Sequence, residues 1–147
     1  PARYVEKVRI EAARRLLKRR IIDAFGELEV ACVEARRLAE AAVPLAASSD
    51  DPCAFHQPLL TSARGTTRIT GSGNVFDAAQ SLPYLEWLRA YTAGAAWAGG
   101  QEHERGRLAP GLQSDLVVLE GELDAANPPR VVETWVAGER AWSEASD

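Results

Sequence analysis

The chain of 147 residues contains no methionine, two cysteines and two histidines. The cysteines, Cys32 and Cys53, lie far apart and have neither metal-site spacing nor a disulfide framework, so we expect a reducing, cytoplasmic location. The histidines, His56 and His103, are too few for a catalytic metal site of the usual three-ligand kind. Because the chain starts at Pro1 and lacks methionine, we also expect it to be processed or cut from something longer.

Long apolar runs and a strong net charge are also lacking. No stretch is long and apolar enough to span a bilayer, and the N-terminus carries charges unlike those of a signal peptide. The net charge of -4 provides no global field for nucleic acid or an anionic membrane. Residues 1–20 are the exception, because this segment contains eight lysines and arginines and only two acidic residues, Glu6 and Glu11. Ser48 and Ser49 lack the Gly-x-Ser-x-Gly elbow, which argues against a serine hydrolase.

Apolar residues at helical spacing predict three helical regions. The first is a basic amphipathic helix over residues 1–26, in which apolar positions from Tyr4 to Phe25 alternate with Arg and Lys. A second pattern covers residues 27–42, and a third helix is predicted over residues 83–98, where Pro83 suits a first turn and two glycines follow. The Pro-, Gly- and Ser-rich residues 51–83 predict a long loop, helical in part near residues 59–64.

Residues 43–50 form a short apolar run that ends in Ser48, Ser49 and Asp50, which predicts a buried strand with a polar C-terminal end. Functional side chains gather where a parallel strand covered by helices ends. Asp50 lies at that point and is our first candidate for a working carboxylate. In the alternative interpretation, Asp50 or Asp51 only caps the following turn.

The β-prone runs and turns of the C-terminal part predict a small antiparallel β unit attached to an α/β core. A short extended piece at residues 106–108 is followed by a tight turn at Pro110 and Gly111. Strands are predicted at residues 114–120 and 130–137, and a turn at 137–139 leads to a last strand at 140–142.

Four segments within residues 35–142 resemble the C-terminal end of a metal-dependent amidohydrolase, of the amidohydrolase family 3 group of amidases and D-aminoacylase-like enzymes. The segments are 43–52 (VPLAASSDDP), 58–60 (PLL), 88–96 (LRAYTAGAA) and 106–119 (GRLAPGLQSDLVVL). The last two are the most specific.

The resemblance implies an α/β fold: a C-terminal fragment of a TIM-like (β/α)8 barrel plus part of a small β-sandwich, preceded by N-terminal helices. The implied divisions are a basic helix at 1–26, the last barrel strand and helices at 27–105, and the sandwich portion at 106–147. In this family the eighth strand ends in a carboxylate, here Asp50, which takes a proton from metal-bound water and can touch the metal. The motif at 106–119 is then structural and not catalytic.

The implied cofactor is a divalent metal ion, with zinc as the expected metal, and the implied substrate is a small-molecule amide or related compound. The family's metal-binding histidines are absent because the chain covers only the last part of such a barrel. The resemblance therefore implies that this chain alone cannot bind the metal.

Residues 1–18 separately resemble the linker helix that joins the two helix-turn-helix units of AraC-type transcription regulators, although no DNA-reading helix follows. An ordinary solvated surface helix explains the basic cluster equally well. Three hypotheses follow: a portion of a hydrolase acting on non-peptide carbon–nitrogen bonds, a non-catalytic remnant or association module that self-associates, and, weakest, a DNA-binding fragment. We expect no membrane partner.

Overall fold

The computed structural model describes residues 34–49, 56–70 and 73–144. Several sequence predictions fall on other residues and lie outside the described part: the basic helix at 1–26, the candidate carboxylate Asp50, its neighbour Asp51, and both cysteines. Within the described part no helix is long and apolar enough to cross a bilayer.

Four α-helices and two other helical turns are described. The α-helices are α1 (Ala35–Glu40), α2 (Pro58–Thr67), α3 (Tyr84–Arg89) and α4 (Ala95–Gly99). A 3-10 turn covers Ala78–Gln80, and a π-helical turn over Ala90–Gly94 joins α3 to α4. The predicted helices at 83–98 and near 59–64 are confirmed, and α1 confirms the described part of the 27–42 pattern.

Proline and glycine set the ends of the long helical run from α3 to α4. Pro83 is the N-cap residue of α3, and Gly100 ends α4 in the left-handed region with φ of 74°. Proline is compatible with a helix start because the first N–H groups have no helical acceptor, whereas glycine adopts positive φ without a steric cost. The π-helical turn in the middle was not anticipated. Such turns occur often at functional sites.

The predicted buried strand at 43–50 is not formed among the described residues, because no strand is assigned to 43–49. Exposure does alternate residue by residue, from half-buried Val43 to half-buried Ser49, which is the period of a strand. Within the described part, however, the main chain of Leu45, Ala46 and Ser49 makes no hydrogen bond. A strand is defined by its ladder, and this segment has no neighbouring strand among the described residues.

The C-terminal β unit is an antiparallel sheet of three strands in the order β1-β2-β3. The strands are β1 (Leu116–Glu120), β2 (Arg130–Val136) and β3 (Glu139–Ser143), which confirms the predicted unit. The preceding turn is also confirmed: the Leu112 N–H donates to the Ala109 carbonyl at 3.2 Å, and Gly111 has φ of 85°. Pro110 before a glycine with positive φ is typical of a type II turn.

The core of the helical part is small. Ala35, Leu82 and Trp87 are buried together, and Leu45 packs against them. Trp87 also lies against α2, where a Cβ atom built at Gly65 would be 2.5 Å from the indole ring, so the missing side chain makes room for the tryptophan. This core joins α1, α2 and α3 and fixes where the 43–49 segment lies.

Candidate functional site

The described structure does not bring together the serines and histidines that the sequence offers as candidates for catalysis. Ser48 is exposed, Ser49 is half-buried, and both histidines, His56 and His103, are exposed. Asp50 directly follows Ser49 and is not described. The described part therefore contains the approach to the candidate carboxylate and not the carboxylate itself.

No group of three or more His, Cys, Asp or Glu side chains within residues 34–49, 56–70 and 73–144 is arranged to hold a metal ion. A catalytic zinc site normally has three protein ligands. The described residues therefore do not fit the implied metal.

The described residues do show how the segment that leads to Asp50 is held. The Ala47 N–H donates to the carbonyl oxygen of Ala90, the first residue of the π-helical turn, at 3.0 Å. At the last residue of the same turn, a Cβ atom built at Gly94 would lie 2.0 Å from the Leu45 carbonyl oxygen. Only glycine permits this approach. The segment therefore runs along the turn in direct backbone contact.

A second segment approaches the same helical run. Gly106, with φ of 99°, lies so close that a Cβ atom there would be 2.6 Å from the Ala96 Cβ and 3.2 Å from the Ala93 Cα. The 88–96 and 106–119 motifs are thus in contact through small residues. The sequence pattern assigns no function to Gly94 or Gly106. The signal that points to them is that each is a glycine inside one of the two most specific motifs.

Asp115, in the 106–119 motif, connects that motif to the β2–β3 hairpin. Its Oδ1 accepts a hydrogen bond from the Ala137 N–H at 2.8 Å, and its Oδ2 lies 3.8 Å from Arg105 Nη1. Next to it, the Gly138 N–H donates to the Ser114 carbonyl at 3.0 Å. These contacts favour the structural role predicted for this motif, because each one joins two parts of the chain.

A groove lies on one side of this arrangement, between α1, the 43–45 residues and the run from α3 to α4. We call it the α1–α3 groove; its volume is about 400 Å³. Its lining is mostly apolar and includes Ala39, Val43, Leu82, Ala93 and Trp97. The ion pair between Glu86 and Arg89, at 2.5 Å, belongs to the same lining. An apolar groove of this size can accept an apolar side-chain row or a small ligand.

Within the described residues, two pKa shifts belong to groups that join structural elements. Burial raises the pKa of the Tyr84 hydroxyl, which donates to the Leu59 carbonyl at 3.0 Å and so joins α3 to α2. A hydrogen bond to Glu120 raises the pKa of Arg130, with added attraction from Glu120 and Glu144, and this trio connects β1, β2 and the end of β3. Neither group lies in the segment that leads to Asp50.

Comparison with known proteins identifies the class. The sequence model of the amidohydrolase family matches residues 13–141, most of the chain, and the chain belongs to that family. It is 28% identical over 115 residues to the putative amidohydrolase YtcJ of Bacillus subtilis (strain 168), covering 76% of this chain and 22% of that protein. It is 29% identical over 108 residues to the N-substituted formamide deformylase of Arthrobacter pascens, covering 70% of this chain and 20% of that protein.

The chain thus spans about a fifth of the length of these two relatives. No solved structure matches it significantly. The resemblance to amidohydrolases is confirmed, whereas the resemblance of residues 1–18 to the AraC linker helix finds no support in these comparisons.

Proposed function

We propose that this chain is the C-terminal portion of a metal-dependent amidohydrolase that cleaves non-peptide carbon–nitrogen bonds in a small-molecule amide. Asp50 is the proposed proton-transfer carboxylate. The observation that carries the proposal is the family match across residues 13–141, which includes both the approach to Asp50 and the β unit. The printed names of the two relatives, an amidohydrolase and a deformylase, agree with this reaction class.

The proposed architecture is the last strand and helices of a (β/α)8 barrel at residues 27–105 and a β-sandwich portion at 106–147. Residues 43–49 support it, because their exposure alternates as in a strand while the main chain of Leu45, Ala46 and Ser49 makes no hydrogen bond to any described residue. A strand whose neighbours belong to other parts of a longer protein has this property. The ligands of the proposed metal, with zinc as the candidate, would then also come from outside the described residues.

The role of Asp50 is tested by Asp50→Asn in the complete protein that contains this chain. General acid–base catalysis by one group contributes about 10²–10⁴-fold, so we expect kcat to fall by about that factor. The matched control is Asp51→Asn, which keeps the same local charge change and should retain activity. Unchanged turnover in Asp50→Asn would show that the assigned role is wrong.

The proposal that this chain is part of a longer hydrolase is tested by the intact mass of the native protein. The mass is measured in the source cells and the protein is detected through residues 106–147. A mass several times that of this chain supports a complete hydrolase. A mass equal to the 147-residue chain contradicts independent catalysis and favours the second candidate function.

The second candidate is a non-catalytic association module, and one face of the sheet favours it. Val117, Val136 and Trp142 lie on that face and are 48%, 50% and 49% exposed. They share it because Thr134 pairs with both Val117 and Trp142, and Val136 is two residues further along β2. Half-exposed apolar side chains grouped in this way are typical of an interaction surface.

A further inference from the structure

The α1–α3 groove has a mostly apolar lining, and at its edge lies one carboxylate, that of Glu40, which has no partner among the described residues. Glu40 ends α1 beside the lining residue Ala39, and its carboxylate makes no hydrogen bond or ion pair within the described part of the chain. A negative charge at a helix C-terminus is unfavourable, because the helix dipole is negative there. A cation next to Glu40 would therefore be stabilising.

The arginines around the groove do not supply that cation, because each has another acceptor. Arg36 donates to the Ser81 carbonyl at 3.0 Å, Arg37 pairs with Glu34 at 2.9 Å, and Arg89 pairs with Glu86. Among the described residues, the charged group beside the groove that has no partner is therefore the negative carboxylate of Glu40. An occupant that complements it needs apolar side chains together with a basic group.

Residues 4–25 of the same chain have this chemistry. Apolar residues recur there in steps of four, at 4, 8, 12 and 16 and again at 17, 21 and 25, with lysines and arginines between them. Residues 26–34 connect this segment to α1 and can span up to about 30 Å, which leaves the groove within reach. A segment of the same chain also has a high effective concentration at the groove.

We infer that the α1–α3 groove binds residues 4–25 of its own chain, with the apolar rows against the groove lining and one of the two lysines, Lys7 or Lys18, paired with Glu40. The groove is then an internal docking surface. This inference does not depend on the proposed catalytic function.

The chain offers a direct test, because its two lysines are Lys7 and Lys18, both in the docking segment. A carbodiimide joins a lysine amine to a carboxylate in direct contact, forming an amide with loss of water. In the full 147-residue chain, peptide mapping should identify Lys7 or Lys18 joined to Glu40. Glu40→Gln should abolish this product, whereas the control Glu122→Gln, at an exposed position after β1, should leave its yield unchanged.

The apolar half of the contact is tested separately with Leu17→Asn, which changes no described residue. The yield of the Glu40 product should fall roughly tenfold, because burial of a leucine side chain contributes at least one tenfold step in an equilibrium constant. Lysines joined only to carboxylates away from the groove, or no product at all, would overturn the inference. Products formed only between isotopically labelled and unlabelled copies would also overturn it, since a second chain would then be the occupant.

Discussion

At the scale of single residues, glycines decide how closely segments of this protein approach one another. Gly94 and Gly106 each allow a second backbone to contact the helical run from α3 to α4. Both positions lack room for a Cβ atom, and the neighbouring atoms at Gly94 are main-chain atoms that cannot rotate away. These glycines therefore act by permitting contacts and not by making a turn flexible.

We expect Gly94→Ala to destabilise the chain by about 1–3 kcal/mol, the usual cost of forcing an extra methyl group into a packed site. The added Cβ would lie 2.0 Å from the Leu45 carbonyl oxygen. Gly99→Ala is the matched control in the same helical run, since its Cβ would approach only the Gln101 side chain, at 3.7 Å. The control should be neutral or gain up to about 1 kcal/mol from helix propensity. Urea unfolding followed by circular dichroism measures both; equal stabilities would contradict the proposed contact.

Tyr84 predicts a pH dependence of stability. Its pKa is raised in the folded state by burial, so folding disfavours the ionised form, and the stability that this group contributes is lost as the pH rises above its ordinary value of 10.0. Tyr84→Phe should cost about 1 kcal/mol at pH 8, where the hydrogen bond to the Leu59 carbonyl is lost. Above pH 10 the unfolding free energies of the wild type and of Tyr84→Phe should become more similar. A constant difference from pH 8 to pH 11 would count against the buried hydroxyl.

At the scale of secondary-structure elements, the β2–β3 hairpin combines a favourable turn with an unfavourable residue. Ala137 and Gly138 both have positive φ, 53° and 81°. Two positive φ values match the type I′ turn, which suits the twist of a hairpin, but an alanine is strained in this region. Asp115 offsets part of this cost by accepting the Ala137 N–H.

Ala137→Asn should therefore raise the unfolding free energy by up to about 1 kcal/mol, because asparagine tolerates positive φ and Asn-Gly is the preferred type I′ pair. The backbone N–H that Asp115 accepts is retained. Ala141→Asn, on exposed β3, is the control and should not stabilise the protein. Thermal unfolding of the three proteins distinguishes the effects, and a lower melting temperature for Ala137→Asn would refute the argument.

At the scale of the whole molecule, the described part has a small core and several large apolar side chains at the surface. Ala35, Leu82 and Trp87 form the described core cluster, whereas Trp142 is 49% exposed. A chain that spans about a fifth of its relatives' length and exposes such side chains has a surface suited to further contacts.

If the exposed sheet face mediates self-association, Trp142→Ser should weaken it by at least about tenfold, in line with the apolar area removed. Val118→Ser is the control, because Val118 pairs with Glu133 and so lies on the other face of the sheet. Sedimentation velocity over a range of concentrations measures both variants. A wild-type chain that remains monomeric throughout contradicts the association hypothesis.

Much of the element order could be predicted because its signals are local. Pro83 and Gly100 delimit the run from α3 to α4, and Pro110 with Gly111 identifies the turn before the sheet. The alternation of residues 130–137 predicts β2 without knowledge of its neighbours. Each of these signals acts over a few residues, so the rest of the fold does not override it.

The candidate site is less predictable, since the case for Asp50 depends on the expected end of a strand and no strand is assigned to 43–49. An apolar run shows that a segment tends to be buried, but only a neighbouring strand supplies the ladder. The π-helical turn likewise gives no distinct local signal: residues 90–94 have ordinary helical spacing, and the turn was found only in the structure.

The sequence by itself determined the described α-helices, the turn at Pro110 and Gly111 and the three-stranded β unit, because propensity, proline, glycine and hydrophobic period act through near neighbours along the chain. It also contained the motifs of the amidohydrolase family. Only the tertiary structure decided what the motifs contact: Gly94 approaches Leu45, and Gly106 approaches Ala96. The first of these contacts joins residues far apart in sequence, and both depend on how closely two segments approach each other in space, which a linear pattern does not specify.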